Sequence, residues 1–272
     1  MISENRSPNT IKGYLINLRA YLTWFYNSFG KYPDKLYREN VLDYKSFLIN
    51  NQKLNAKTVN HKLSSLSKFN DYLREKGVQK DQVLLQKDLM KVQQNYASPT
   101  KVTENEVKAF IQVILEKASK RDYALVTMLA CTGLRISEAL SIKIGDINIH
   151  SRECIVRSGK GAKQRIVPLN EKVIHALNEY LKNRVEKRIT SEYLFPSNRG
   201  TMLDRSVINE TFKKHSDKIT PHQLRHFFCT NALEKGLGIH EVANIAGHTN
   251  IHTTMIYTNP DRNKLKQKMD LL

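Results

Sequence analysis

Through most of its first ninety residues this chain places an apolar side chain at every third or fourth position. Ile11, Tyr14, Leu15, Leu18, Tyr21, Leu22 and Phe25 form one series. Val41, Leu42, Tyr44, Phe47 and Leu48 form a second, and Val59, Leu63, Leu66, Phe69, Tyr72 and Leu73 a third. A period near 3.6 gathers each series on one helix face, which must be buried against another element. Ser7 and Pro8 mark the first helix start, because proline lacks an N–H that a first-turn residue leaves unbonded anyway. A weaker apolar segment at 80–93 predicts one more helix, so the first part reads as a bundle of about four.

The pattern breaks at QQNYASPTKVTE, residues 93–104. Ser98-Pro99-Thr100 has linker composition, and Thr103 with Glu106 has the spacing of a capping box that opens a new helix. This predicts a helical domain over 1–95, a linker over 96–103 and a second domain over 104–272. Helical spacing returns at 104–117, 121–131, 171–186, 205–215, 221–235 and 239–246. Between them, CIVRSGKGAKQRIVPL changes period, with Ile155 and Ile166-Val167 flanking a glycine-rich turn, which predicts a β-hairpin. The fold class expected is mainly α with a small β-hairpin or sheet.

Lys and Arg number 44 against 26 Asp and Glu, a formal net charge of +18. Solubility needs only a few net charges, so this excess points to a polyanionic partner, most simply nucleic acid. Lys12, Arg19, Lys45, Lys57, Lys62 and Lys68 in the first part, with Lys163 and Arg165 of the hairpin, are the candidate phosphate-tracking residues. Cys131, Cys154 and Cys229, an odd set without CxxC spacing, argue against a disulfide framework or a thiolate zinc site. The opening MISENRSPNT lacks the basic-then-apolar layout of a signal peptide, and no apolar run reaches the roughly 18 residues of a membrane span. The expected compartment is the cytoplasm, at the nucleoid.

Four strings carry candidate chemistry. In PHQLRHFFCTNAL, Pro221 opens a helix that sets His222 and Arg225 on one face. The plain reading is a surface pair. His226, four residues from His222, invites a zinc reading, but Gln223 stands where an HExxH site needs glutamate and the sequence places no third ligand. In CTGLRISEAL, Arg135 follows a glycine turn at a helix start, where the helix's positive end repels it unless an anion intervenes; Glu138 is the simpler partner. SGKGAK does not match a phosphate-cradling GxxxxGK[ST] loop; its glycines turn the hairpin and hold Lys160 at the tip. GHTNIHTTMIYTNP adds His248 and Tyr257, nine positions apart.

In this order TGLRISE, SGKGAKQRIVPL, TPHQLRHFFCTNAL and AGHTNIHTTMIY resemble the tyrosine recombinase (integrase) family across the second part of the chain. The helical first part resembles that family's core-binding, SAM-like domain, which would make the second an α+β recombinase catalytic domain. In its compactness the chain is more similar to Xer-type recombinases and transposon-borne resolvases than to phage integrases that also bind arm sites. Ala246 stands where leucine is common, and Phe228-Cys229 replaces a smaller pair.

The resemblance implies a site-specific recombinase acting on double-stranded DNA at inverted-repeat-type sites. Tyr257 would be the nucleophile, leaving a 3′-phosphotyrosyl link and passing through a Holliday junction. Arg135, Arg225, His222 and His248 would hold the phosphate, and guanidinium forks bind more tightly as transition-state charge develops. Lys160 would protonate the leaving 5′-oxygen, with Lys163 the alternative. No cofactor and no metal are expected. The tail LKQKMDLL, with Leu265, Met269, Leu271 and Leu272, would dock on a neighbouring subunit in a tetramer on two duplexes. Rival readings are an inactive DNA-binding regulator on the same scaffold, a nicking-closing topoisomerase or telomere resolvase, and a metal-dependent hydrolase.

Overall fold

The computed structural model describes residues 8–92, 102–157, 164–248, 250–255, 257 and 270. The chain forms two compact units, residues 1–94 and 95–272.

In the first unit α1 (Pro8–Phe29), α2 (Arg38–Asn50) and α3 (Ala56–Glu75) follow the three apolar series. Asn55 caps α3 by accepting the Thr58 N–H at 2.9 Å. Tyr21, Phe25, Tyr44, Leu48, Val59, Leu63 and Leu66 are buried in one core. Tyr21 and Tyr44 meet edge to face with ring centroids 5.2 Å apart.

The segment expected to be one more helix is not one. From Gln79 to Met90 it runs extended, with a single 3₁₀ turn at Gln86–Asp88. Side chains of the bundle take over its backbone hydrogen bonds. Asn70 accepts the Val83 N–H at 3.0 Å and donates to the Asp81 carbonyl at 3.0 Å. Asn60 does the same for both backbone groups of Met90. Consecutive Val83 and Leu84 are both buried in this extended stretch. Arg38 grips Asp88 through two bonds of 2.6 and 2.8 Å, and this holds the Asp88 carboxyl down at about 2.

The second unit has α4 (Glu104–Lys117), α5 (Lys120–Thr132), α6 (Ile136–Ser141), β1 (Ile147–Asn148), β2 (Glu153–Val156) and β3 (Arg165–Pro168). It continues with α7 (Glu171–Glu186), α8 (Arg205–His215), α9 (Pro221–Glu234), α10 (Ile239–Ala246) and the single turn α11 (His252–Met255). Thr103 and Glu106 form the expected capping box, the Thr103 N–H donating to Glu106 at 2.8 Å. Helix α5 is buried on nearly every side from Ala124 to Ala130 and is the axis of this core, with α4, α7 and α9 packed around it. The hairpin is antiparallel, pairing Cys154 with Val167 and Val156 with Arg165, and β1 extends it to three strands. Cys154, Val156 and Val167 turn inward while Ile166 faces out, the alternation expected of a sheet with one buried face. No described helix is long and apolar enough to cross a membrane.

Candidate active site

Helix α5 ends at Gly133, whose φ of +63° is the left-handed cap that glycine adopts freely. The Phe228 ring lies so close that any side chain at this position would meet it. The turn leads through buried Leu134 to Arg135, the N-cap of α6. Helix α10 ends in the same way, with Gly247 at φ +69°. A helix leaves its last carbonyls without partners inside the helix, at the negative end of its dipole.

Here those carbonyls gather arginines from three distant parts of the sequence. Arg225 donates to the Gly133 carbonyl at 2.6 Å and the Ala246 carbonyl at 2.7 Å. Arg135 donates to the Gly247 carbonyl at 3.0 Å. Arg165 donates to the Ile245 carbonyl at 3.0 Å and lies directly beneath Gly247, where a β-carbon would collide with its guanidinium. The repulsion expected at Arg135 from its own helix start is thus offset by the opposite end of α10.

Glu138 ties the group together. Its buried carboxylate accepts the Arg135 backbone N–H at 2.9 Å, the Arg135 guanidinium at 2.9 Å and two donors of Arg165 at 3.2 and 2.9 Å. Burial alone would raise its carboxyl; Arg165 and Arg135 outweigh that and hold it below the ordinary range. The sequence offers Glu138 only as a partner for Arg135. Arg165, expected among the phosphate-tracking residues, has a side chain only 15% exposed and spends its donors on Glu138 and the α10 carbonyls. It is an internal strut, which its position on a hairpin strand does not disclose.

Arg225 is 6% exposed, and it meets only neutral carbonyls through these bonds. Arg135 keeps 44% of its side chain open. On α9, capped by Thr220, His222 and His226 share an Nε2–Nε2 hydrogen bond of 2.7 Å. The His226 ring is 5.2 Å from the ring of Tyr257, and the His248 ring stacks on Tyr257 at 6.2 Å and 11°. His248 Nδ1 bonds the buried Thr254 hydroxyl at 2.7 Å, so Nε2 is the nitrogen left to face a ligand. Tyr257 is half-buried against Cys229, Ala232, Val242 and Ala246.

The local field follows from this packing. Burial, then the charges of Arg225, Arg135 and Arg165, push His248 down to about 4. Burial, His222 and Arg225 do the same to His226, and His222 is lowered by burial and by Arg225 and Arg205. All three imidazoles are neutral at pH 7. Burial raises the Tyr257 phenol to about 12, with Arg225 opposing. Burial and the arginine charges therefore keep the imidazoles neutral, and burial keeps the tyrosine protonated.

Of the six candidate catalytic residues, Arg135, His222, Arg225, His248 and Tyr257 come together. Lys160 lies outside the described residues, as do Lys163, residues 96–101 of the linker and the tail positions Leu265, Met269, Leu271 and Leu272. In the first unit Lys12 and Arg19 are exposed on one face of α1, and Lys57 is exposed at the start of α3. Lys45 and Lys62 are half-buried, and Lys68 pairs with Asp71 at 3.1 Å. His226 and Thr254 were legible only as a possible zinc pair and a threonine-rich stretch. Among the described residues no group of three or more His, Cys, Asp or Glu side chains is placed to hold a metal.

Residues 100–264 match the phage integrase family, and residues 1–80 match the phage integrase N-terminal SAM-like domain. The chain is 56% identical over 271 residues to the TnP I resolvase of Bacillus thuringiensis, covering 99% of this chain and 95% of that one. It is 32% identical over 262 residues to the tyrosine recombinase XerA of Thermococcus kodakarensis, covering 94% and 86%. The fold is similar to that of the Tn1549 transposon integrase solved with a circular intermediate DNA, at a TM-score of 0.73 and 21% identity, covering 98% and 94%.

Proposed function

Because the chain belongs to the phage integrase family of tyrosine site-specific recombinases, we propose that Tyr257 is the residue with which it breaks and rejoins DNA. The observation that carries this is the gathering of Arg135, Arg225 and His248 around the end of α10, with the Tyr257 ring stacked on His248.

The scissile phosphate sits between the two guanidinium groups, with Arg135 giving its open donors and Arg225 its fixed charge. A tyrosine held at about 12 needs its proton removed as it attacks. That proton passes to His226, the imidazole against the Tyr257 ring, whose Nε2 is freed once His222 turns to the phosphate. The phenolic oxygen bonds to phosphorus and the bond to the 5′-oxygen breaks. The leaving oxygen takes a proton from Lys160, or from Lys163. Because the energy of the broken bond is kept in the 3′-phosphotyrosyl link, the free 5′-hydroxyl of a partner strand reverses the step, and a second exchange resolves the Holliday junction. His222 must leave His226 to donate Nε2 to the phosphate, since one nitrogen cannot serve both.

The biological task is resolution of DNA rather than insertion, a reading favoured by the 56% identity with the TnP I resolvase. Inverted-repeat-type sites on two duplexes are bound by four copies. The tail 264–272 of each docks on its neighbour, and an apolar groove of about 860 Å³ lined by Val107, Ile111, Leu115, Phe227 and Phe228 has the character that its Leu265, Met269, Leu271 and Leu272 need.

The test is a trap in cells expressing the native chain or Tyr257→Phe, lysed in strong detergent with chelator. Protein still attached to DNA is recovered and the DNA ends are sequenced. Adducts from the native chain alone identify the nucleophile and the target site. Absence from both, with reversible DNA binding intact, sinks the proposal in favour of a regulator. Deleting residues 264–272 is expected to leave adducts on single sites and abolish two-duplex assemblies in native gels.

A further inference from the structure

At the end of α5 opposite Gly133 the surface opens into a cleft of about 620 Å³. Arg121 lines it from the first turn of α5, Lys187 and Arg188 from the stretch just past α7, and Arg199 from the turn at 197–200; no carboxylate lines it. Cations around its rim are neutralised: Lys120 and Lys182 both reach Glu179, at 3.3 and 3.1 Å, and Lys143 reaches Glu192 at 3.0 Å. Arg121 itself pairs with Asp122, which lies outside the lining. Lys187, Arg188 and Arg199 have no acidic partner within 4.0 Å among the described residues.

The cleft is rigidly built. Arg184, 3% exposed, donates to the carbonyls of Ser191 at 2.7 Å, Tyr193 at 2.8 Å and Leu194 at 2.9 Å, and so fixes the loop that forms one wall. Arg188, at φ +53°, is the left-handed residue that ends α7, with the Ile189 N–H returning to the Arg184 carbonyl at 3.0 Å. Three unpaired cations from two segments, beside the hydroxyls of Thr190 and Ser197, suit the oxygens of a phosphodiester backbone. Helix α5 has 13 residues. At about 1.5 Å per residue it separates the cleft from Arg135 by roughly 20 Å, the length of some six base pairs at about 3.4 Å each for a duplex laid along that line.

We propose that this cleft grips the DNA backbone about six base pairs from the cleaved phosphate and sets the register of the duplex in the catalytic site. The proposal rests on the recombinase reading above. The test uses the full chain with Lys187→Gln, Arg188→Asn and Arg199→Gln combined, asparagine being tolerated at positive φ. On a duplex carrying the site recovered from the trap, the slope of log K against log salt is expected to shallow by about 2 to 3, near 0.9 for each phosphate no longer neutralised. Shortening the duplex to fewer than about five base pairs beyond the cleavage point should weaken the native chain by the same amount and leave the triple variant unaffected. A set of charge-keeping changes, Lys187→Arg, Arg188→Lys and Arg199→Lys, should restore the slope if the triple variant is folded.

An unchanged slope overturns the proposal, and so does a loss that is equally large on the shortened duplex. Adducts at Tyr257 are scored in the same samples. If neither protein forms them while the slopes still differ, it is the catalytic reading that fails and the cleft that stands.

Discussion

Thr254 shows how much one buried hydroxyl can decide. It has no solvent exposure and bonds His248 Nδ1 at 2.7 Å, which fixes both the ring plane and the nitrogen presented to the site. Thr254→Val keeps the shape and removes the bond. A neutral hydrogen bond contributes about 1 kcal/mol, so adduct formation should slow about fivefold to tenfold in single-turnover gels, with DNA affinity unchanged. An equal loss of affinity would mean that Thr254 supports the fold rather than the ring. Nothing in HTTMIY distinguishes the two threonines from a turn. Only the burial of Thr254 beside the exposure of Thr253 separates them. Tyr257, His248, Arg135 and Arg225 were legible because a fixed order of short strings carries them. His226, Thr254, Glu138 and Arg165 each act through another side chain of the site, and such roles arise from packing that no local spacing encodes.

At the scale of elements, the end of α10 does most of the assembling. Its last carbonyls receive Arg135, Arg165 and Arg225, and the left-handed residue that ends it has a guanidinium beneath it. Gly247→Ala therefore meets two obstacles, the strain of φ +69° at about 1 to 2 kcal/mol and displacement of Arg165 from Glu138. The expected result is a Tm several degrees lower, at about 2–4 °C per kcal/mol for a unit of this size, with adduct formation lost in the trap. A Tm shift with full activity would show that the arginines do not depend on this turn. Helix positions and the hairpin were readable from apolar period alone, because each buries one face. The 80–93 segment was not, since its backbone is satisfied by Asn60 and Asn70, thirty and about a dozen residues away. A weak period cannot show that a side chain elsewhere has replaced the helical hydrogen bond.

Across the whole molecule, the neutral histidines set a pH limit. His226 and His248 fall to about 4 on folding from an ordinary value near 6.5. A depressed value means that the unfolded chain takes up protons first. The stability they contribute is complete above pH 6.5 and is lost as pH falls toward 4. Melting curves from pH 7.5 to 4.5 should show a falling Tm, and His226→Gln should flatten that fall. A native curve that stays level would count against buried neutral imidazoles. Asp88, held at about 2 by Arg38, loses its contribution only below its ordinary value of 3.8 and does not confuse the window. The two units also close their cores separately, Tyr21 to Leu84 in one and Val102 to Leu224 in the other. Sequence drift in either core is therefore not answered by compensating change in the other.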